Sequence, residues 1–429
     1  MLKTLLSTNL FLSLLFLTAC DFKEENDTSH QGASREELSN LKPWLVTSPW
    51  AHQLKECASA QNEKEACTLG TMPLIGMASS QPGIAEISQR LLVSHDWMGE
   101  RFEELLLNSP IELLTMFRGV TMVVIDDDIR PAYYDPQTGA IYLDPNYLWQ
   151  NVSEAQTINP KQDFRADFDN ELAFRNLFRY VKNQELAYRY SGPESTTPRE
   201  FEDVRYLASA LLLHELAHAN DYFPVASHSG LKASDKPWQA ARSQLDSWTS
   251  SRLLALNPLD SGLMFEAALT MYHGEKASSS LKSQQATDIG AAFAPDGASA
   301  NYNYSTPYED VAMLFEEIMM LRLFAIDRDM AFTSAPTPGS NSCADYVIGW
   351  GARNRVATAQ VLARAEFVLN SMLPESDFSE FINNLGSTKA IPEGINWCDS
   401  QRFESSQSTA GQKTQAPGEK FDAGALYWR

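Results

Sequence analysis

The strongest hydrophobic pattern in the chain predicts one long buried helix. Its apolar positions recur every three or four residues, which is the spacing of one helix face. They are Val204, Leu207, Ala208, Leu211, Leu212 and Leu216. The stretch Thr197-Pro198-Arg199-Glu200 has the form of a capping box with proline at the first helical position, so it predicts the start of the helix. Asn220 and Pro224 predict its end, after roughly twenty residues.

Other hydrophobic runs predict strands and further helices. Residues 121–125 are rich in β-branched side chains and predict a strand. The turn residues at 135–139 lie between two apolar runs and predict a hairpin over 132–143. Helical patterns dominate four further segments: 84–107, 168–190, 245–256 and 309–325. We therefore expect an α+β protein that is predominantly helical, with a small sheet and a hairpin beside the long helix.

Three aspartates, Asp126, Asp127 and Asp128, follow the predicted strand directly. They lack the ligand spacing and the glycine of an EF-hand loop. The pattern therefore favours a solvated turn over a calcium site.

The N-terminus has the features of an export signal. Met1-Leu2-Lys3 is a short basic start and residues 10–17 are almost all apolar, which is typical of a secretory signal peptide. The sequence Leu17-Thr18-Ala19-Cys20 resembles the lipobox of bacterial lipoproteins. That resemblance implies removal of residues 1–19, a lipid anchor on Cys20 and a location in the bacterial cell envelope, facing the periplasm. Asp21 resembles the signal that retains some lipoproteins in the inner membrane. An ordinary signal peptide followed by an incidental cysteine is the alternative.

Composition divides the remaining chain into three parts. Residues 20–42 are polar and without periodicity, so we expect a flexible tether, and residues 401–429 predict a mostly disordered tail. Between them, residues 43–400 are expected to form the folded domain. The precursor carries a net charge of −21, and a field of that sign repels nucleic acid. Nucleic acid is therefore not expected as a partner.

Apart from Cys20, the chain has four cysteines, Cys57, Cys67, Cys343 and Cys398. An even number in an exported chain predicts two disulfides. Of the three possible connectivities we expect the sequence-local one, Cys57–Cys67 and Cys343–Cys398. No CxxC spacing occurs, so these cysteines are expected to be structural rather than metal ligands.

The end of the long helix carries His214-Glu215-Leu216-Ala217-His218. Residues four apart lie on one helix face, so both imidazoles can bind one Zn²⁺, with the glutamate beside the metal. That arrangement is typical of zinc peptidases. The alternative is a pair of core histidines that flank a glutamate by chance. Ionised Glu215 buried among leucines without a partner would be costly, which counts against that alternative.

A catalytic zinc needs a third protein ligand. The metzincin arrangement would require histidine at position 224, and proline occupies it, so carboxylates and distant histidines remain. The segment 302–316 carries Tyr302, Glu309-Asp310-Val311-Ala312 and Glu316. Glu309 also follows Thr306 at capping-box spacing, and Glu316 lies two turns further along the same helix face. Either glutamate could therefore be the ligand.

Taken together, the two motifs resemble the gluzincin class of metallopeptidases, particularly the catalytic domain of anthrax-toxin lethal factor and its relatives. There the metal helix reads HExGHxxD, and this chain continues from His218 to Asp221 at the matching position. The resemblance implies a zincin-like fold, Glu309 as third ligand and Tyr302 as a catalytic tyrosine. Two positions depart from the family: Ala217 replaces a glycine, and Met313 replaces a second glutamate, for which Glu316 could substitute.

We therefore expect one Zn²⁺ per chain, held by His214, His218 and Glu309, in a peptidase acting on extracytoplasmic proteins or peptides. Glu215 is expected to act as general base and Tyr302 to stabilise the oxyanion, with Tyr304 and His228 as less favoured substitutes for Tyr302. Asp221 is expected to accept a hydrogen bond from an imidazole. The strand over 140–143 could pair with an extended substrate. The alternatives are a non-catalytic scaffold lipoprotein on a zincin fold and a zinc amidase acting on cell-wall material.

Overall fold

A computed structural model describes residues 40–337 and 342–405. The signal peptide over 1–19, Cys20, Asp21, most of the tether over 20–42 and most of the tail over 401–429 lie outside the described residues. Leu41 is buried and Lys42 already belongs to the first strand, although the sequence assigns both to the tether. The folded part therefore begins earlier than expected. Within the described residues, no helix is both long enough and apolar enough to span a membrane.

The described residues form two small sheets, and the chain is a mixed α and β protein, in agreement with the predicted α+β class. The strands are β1 (Lys42–Pro43), β2 (Leu91–Val93), β3 (Val123–Ile125), β4 (Tyr133–Asp135), β5 (Ala140–Leu143), β6 (Phe174–Lys182), β7 (Glu185–Leu186), β8 (Asp327–Ser334), β9 (Ile348–Arg353) and β10 (Lys389–Ala390).

The helices confirm the predicted segment 309–325 closely and the segment 245–256 from Thr249 onward, after the 3-10 turn Leu245–Ser247. They are α1 (Ala51–Ala58), α2 (Ile84–Ser88), α3 (Asp96–Leu107), α4 (Ile111–Met116), α5 (Val152–Ala155), α6 (Phe201–Tyr222), α7 (Pro237–Arg242), α8 (Thr249–Leu256), α9 (Gly262–His273), α10 (Ser279–Ser283), α11 (Ala286–Phe293), α12 (Pro307–Phe324), α13 (Ala359–Met372) and α14 (Ser379–Asn383). The predicted helix over 84–107 is interrupted, because β2 separates α2 from α3.

The first sheet has the strand order β1-β2-β3-β5-β4. Its three central strands, β2, β3 and β5, are parallel, whereas β1 and β4 run antiparallel at the two edges. The predicted strand and hairpin are both confirmed here. All residues of the three parallel strands are buried, as expected for a sheet covered on both faces. One face packs with α6 in the main core, and the other packs against α1.

The second sheet corrects the predicted helix over 168–190. That segment forms β6 and β7, joined by a hairpin at Asn183 and Gln184, which both have positive φ. The strand order is β10-β9-β8-β6-β7, and every pair is antiparallel. Arg175, Arg179 and Lys182 recur along β6 at spacings of four and three residues, which is the spacing of one helix face, and both arginines are buried. These charged positions therefore resemble the solvent face of a helix.

The long helix α6 begins at Phe201, after an N-cap at Glu200 that makes no side-chain capping bond. The predicted capping box at 197–200 is therefore wrong. From Tyr206 to Tyr222 every residue of α6 is buried, since the helix packs against the first sheet on one side and α12 on the other. α12 in turn packs against the second sheet. The two helices that carry the predicted zinc ligands thus lie in the main core.

Two further predictions concern the first sheet and the cysteines. Asp126 is only 1% exposed, so the expectation of a solvated turn at 126–128 fails at its first residue. Both predicted disulfides are confirmed: Cys57 bonds Cys67 and Cys343 bonds Cys398, with Cα–Cα distances of 5.3 and 6.0 Å.

Candidate metal centre

The last turns of α6 bring His214, Glu215 and His218 to one place. Because His214 and His218 are one helical turn apart, their rings face the same side, with centroids 5.0 Å apart. The three residues are 4%, 5% and 9% exposed, respectively. Burial to this degree fixes their rotamers, and it excludes most solvent from the groups that would react.

Glu309 reaches the two histidines from the first turn of α12. Thr306 caps that helix, since its hydroxyl accepts the backbone N–H of Glu309 at 3.1 Å. The Glu309 carboxylate points away from the cap: Oε2 lies 3.0 Å from His214 Nε2 and 3.5 Å from His218 Nε2. Only the threonine half of the predicted capping box is therefore formed. The cap holds the backbone of Glu309 while its side chain faces the imidazoles.

Two of the three separations among these groups can be compared with those in a tetrahedral zinc site. Zinc bonds to nitrogen and oxygen are about 2.0–2.2 Å long, which separates neighbouring ligand atoms in a tetrahedron by about 3.3 Å. The two measured separations, 3.0 and 3.5 Å, bracket that value. In the described part of the chain, this trio is the one group of three or more His, Cys, Asp or Glu residues with ligand atoms within 4.8 Å of one another.

The charges of the two histidines control the Glu309 carboxyl. Burial by itself would raise the pKa of Glu309, but His218 and His214 outweigh burial and hold that pKa well below its ordinary value. Glu309 is therefore an anion, as a metal ligand must be. A cation held among these groups would act in the same direction.

Glu316 lies on the other side of His214. Its Oε2 is 3.0 Å from His214 Nδ1, and its Oε1 accepts the hydroxyl of Tyr180 at 2.8 Å. Glu316 is fully buried and contacts the nitrogen that faces away from Glu309. Of the two glutamates left open by the sequence, Glu309 thus joins both histidines and Glu316 supports one of them.

Tyr302 lies over the site on the 3-10 turn Asn301–Tyr304. Its hydroxyl donates to Glu309 Oε1 at 3.0 Å, and its ring stacks on His214 with centroids 6.1 Å apart. Burial, followed by the charge of Glu309, raises the pKa of Tyr302 well above its ordinary value, and the charge of Glu215 adds to the effect. The phenol therefore stays protonated and can donate a hydrogen bond.

Arg165 is a charge at the site that the sequence did not predict. It forms an ion pair with Asp163, with Nη2 and Oδ2 2.6 Å apart, and both side chains are 14% exposed. Its charge opposes the rise in the pKa of Tyr302. The segment around it has neither strand nor helix periodicity, so nothing in the sequence linked Arg165 to the motif.

Asp221 contacts a helix end. Its Oδ1 accepts the backbone N–H of Ser250 at 2.7 Å, in the first turn of α8. Asp221 is fully buried, and burial raises its pKa to about 6, against the opposing charge of His218. Asp221 therefore anchors α8 behind the histidine pair, and an acceptor role toward an imidazole stays a prediction.

The substitutes considered for Tyr302 have other partners. The Tyr304 hydroxyl donates to Asp296 at 2.8 Å, and His228 Nε2 lies 3.0 Å from the carbonyl of Phe223. His273, on the C-terminal turn of α9, contacts the hydroxyl of Ser305. Of these aromatic side chains, Tyr302 is the one that contacts Glu309.

The chemistry available to this arrangement follows from its groups: two imidazole nitrogens, one anionic oxygen, a carboxylate next to them and a phenol donor above them. Comparisons with known proteins identify no family for this chain. No protein-family model matches the chain, and neither the curated proteins nor the solved structures contain a match.

Proposed function

We propose that this protein is a zinc-dependent metallopeptidase of the gluzincin type. The observation that supports this most directly is the convergence of His214, His218 and Glu309 at zinc-ligand spacing beside Glu215. A structural zinc site does not require a neighbouring carboxylate that is free of the metal. A catalytic one does, because hydrolysis needs a general base.

Each group at the site has its own role in the proposed hydrolysis. When bound, Zn²⁺ acidifies a water molecule and polarises the carbonyl of the substrate. Glu215 accepts a proton from the attacking water, whose oxygen bonds to the carbonyl carbon. Glu215 then returns that proton to the amide nitrogen as the C–N bond breaks, so the carboxylate is restored after each cycle. Tyr302 donates a hydrogen bond to the oxyanion, a contribution of about 3–4 kcal/mol in comparable sites.

The first sheet supports a peptide as the substrate. The sequence suggested that residues 140–143 receive it, but β5 already pairs with β3 and β4 on its two sides, so that suggestion is wrong. The edge strand next to β5 is β4, which pairs only with β5 among the described residues. An extended peptide can add to such an edge through its main chain. β4 is thus the strand we propose for substrate binding.

A row of aromatic rings connects β4 with the metal site. Tyr134 of β4 stacks on Tyr222 of α6 at 5.6 Å, and Tyr222 stacks on Tyr308 at 5.3 Å. Tyr308 directly precedes Glu309 in α12. The row therefore links the proposed substrate strand to the helix that carries Glu309. A mixed sheet with an antiparallel edge, followed by the HExxH helix and then a glutamate helix, also supports the zincin-like fold.

The two disulfides support a place outside the cytoplasm, since disulfides persist mainly in oxidising compartments. Together with the lipobox-like sequence, they favour a lipoprotein that is anchored through Cys20 and faces the periplasm. We propose extracytoplasmic proteins or peptides as its substrates.

The experiment that tests this function compares the purified protein with E215Q. The wild type is expected to hold about one zinc per chain and to cleave denatured casein. E215Q should keep the metal, and its cleavage rate should fall about 10²–10⁴-fold, which is the usual contribution of a general base. E202Q, at an exposed position of the same helix, is the matched control and should retain both properties.

Three outcomes would count against the proposal. Zinc content near zero would remove the metal centre itself. Unchanged cleavage by E215Q would mean that another group, or a contaminating protease, performs the reaction. A zinc-loaded wild type without activity on casein or on unfolded periplasmic proteins would leave the metal but exclude the general peptidase.

A further inference from the structure

His214 is held between two carboxylates, and the one behind it is itself held by a tyrosine. Nδ1 of His214 lies 3.0 Å from Glu316 Oε2, and Glu316 Oε1 accepts the Tyr180 hydroxyl at 2.8 Å. The three side chains come from α6, α12 and β6, and all are at most 4% exposed. A hydrogen-bonded row thus runs from the second sheet to a proposed zinc ligand.

The row favours the tautomer of His214 that carries its proton on Nδ1, the nitrogen that faces Glu316. The pKa of the Tyr180 phenol is raised well above its ordinary value by burial and by Glu316, so Tyr180 donates to Glu316 and does not accept. A carboxylate oxygen accepts a hydrogen bond, so a proton on His214 Nδ1 would be donated to Oε2. This tautomer leaves Nε2, which lies 3.0 Å from Glu309 Oε2, for a metal. That is the nitrogen a zinc ion would need.

Tyr180 is well placed to hold Glu316 rigidly. It lies in β6, opposite Arg328 of β8 in the antiparallel register. The guanidinium of Arg328 is 2% exposed and packs over the rings of Phe178 and Tyr180, at 4.5 and 5.8 Å from their centroids. A buried cation beside the ring also favours the negative charge that Glu316 brings into the core.

We propose that Tyr180 is a positioning residue of the metal centre, acting through Glu316 to orient His214 and fix its tautomer. The inference rests on the proposed zinc site. Outer partners of a metal-bound histidine change metal affinity by about 10–100-fold when they are lost. Tyr180 contacts Glu316 rather than the histidine itself, so we expect its loss to change zinc affinity by the lower end of that range.

The test measures zinc affinity, by competition with a chelator, for Y180F and for a matched control, Y142F. Tyr142 is also a buried strand tyrosine, and its hydroxyl donates to the carbonyl of Ala58 at 2.8 Å, but it lies on the face of the first sheet that packs against α1. Y180F should weaken zinc binding about tenfold, whereas Y142F should leave it unchanged even if both variants lose thermal stability. Equal zinc affinity in the two variants would overturn the proposal.

A double-mutant cycle shows whether Tyr180 acts through Glu316. E316A should weaken zinc binding more than Y180F does, and Y180F/E316A should be no weaker than E316A alone, because the contact that Tyr180 serves is already gone. Additive losses would contradict the proposed path. A wild type that binds no zinc would refute the proposed function, and the inference with it. A wild type that binds zinc as tightly as Y180F does would refute the inference alone.

Discussion

Glu309 and Glu316, two turns apart on α12, contact opposite nitrogens of one imidazole. Glu309 Oε2 lies 3.0 Å from Nε2 of His214, and Glu316 Oε2 lies 3.0 Å from its Nδ1. Only Glu309 also reaches His218. One helix face therefore supplies a proposed ligand and the support for another ligand, and the two roles predict different consequences on substitution.

Replacing the two glutamates separately by glutamine should distinguish these roles. E316Q is expected to weaken zinc binding about 10–100-fold, as the loss of an outer partner does. E309Q should weaken it considerably more, since it removes a charged ligand itself. Zinc affinity measured against a competing chelator gives both values. A larger loss in E316Q than in E309Q would mean that the ligand assignment is reversed.

Tyr302 and Tyr304 lie on the same 3-10 turn but have different partners, and this makes them a matched pair. Y302F should lower kcat about 10²–10³-fold with little change in KM, because its phenol is proposed to stabilise the transition state. Y304F should leave kcat unchanged, since the Tyr304 hydroxyl is bound to Asp296. Steady-state cleavage of a peptide substrate provides the measurement.

Tyr302 also donates to Glu309 Oε1, so its effect on the metal must be separated from its effect on catalysis. Zinc content of Y302F at saturating metal is the control. A loss of kcat that disappears when zinc is added in excess would assign Tyr302 to metal binding, and it would contradict the oxyanion role.

The part of the site on α6 and α12 could be predicted from the sequence because its signals are local. A helix of period 3.6 places His214 and His218 on one face, and Thr306 with proline after it marks the start of α12. Both consequences follow from residues within a few positions of each other. The hairpin of the first sheet was predictable for the same reason, since Gly139 supplies the positive φ of its turn.

Tyr180 and the second sheet could not be predicted in this way. On β6, Arg175 and Arg179 are four residues apart, as on one face of a helix, but both arginines are buried. Arg179 is paired with Asp329 of β8, which is 150 residues further along the chain. A buried ion pair between distant residues leaves no local trace, so the pattern resembled an amphipathic helix. Asn183 in the tight turn after β6 was the one local signal of a hairpin.

The two disulfides are expected to differ in their contribution to stability. Cys343 and Cys398 are 55 residues apart, whereas Cys57 and Cys67 are 10 apart. Closing the longer loop removes more conformational entropy from the unfolded chain. The Cys343–Cys398 bond should therefore stabilise the fold by about 4 kcal/mol, compared with about 3 kcal/mol for Cys57–Cys67. Denaturant unfolding of C343S/C398S and of C57S/C67S measures the difference. The reverse order would mean that native-state contacts, rather than loop entropy, dominate.

Asp126 predicts a pH dependence of stability outside the metal site. Burial, and then the neighbouring Asp127, raises its pKa to about 7, compared with about 3.9 in an unfolded chain. The folded state therefore holds a proton that the unfolded state has released between these two values. Over that window stability falls as the pH rises, and above about pH 7 the full penalty is present.

The variant D126N removes this penalty and should reverse the order of stability between two pH values. Near pH 4 it should be no more stable than the wild type, and at pH 8 it should be more stable by about 2–4 kcal/mol. D128N is the control, because Asp128 is partly exposed and paired with Lys161 at 2.8 Å, and it should change stability by less than about 1 kcal/mol at either pH. Thermal and denaturant unfolding at both pH values provide the test. A constant difference between D126N and the wild type across this range would mean that Asp126 is already ionised in the folded protein at low pH, and that its buried carboxylate is stabilised by a partner other than a proton.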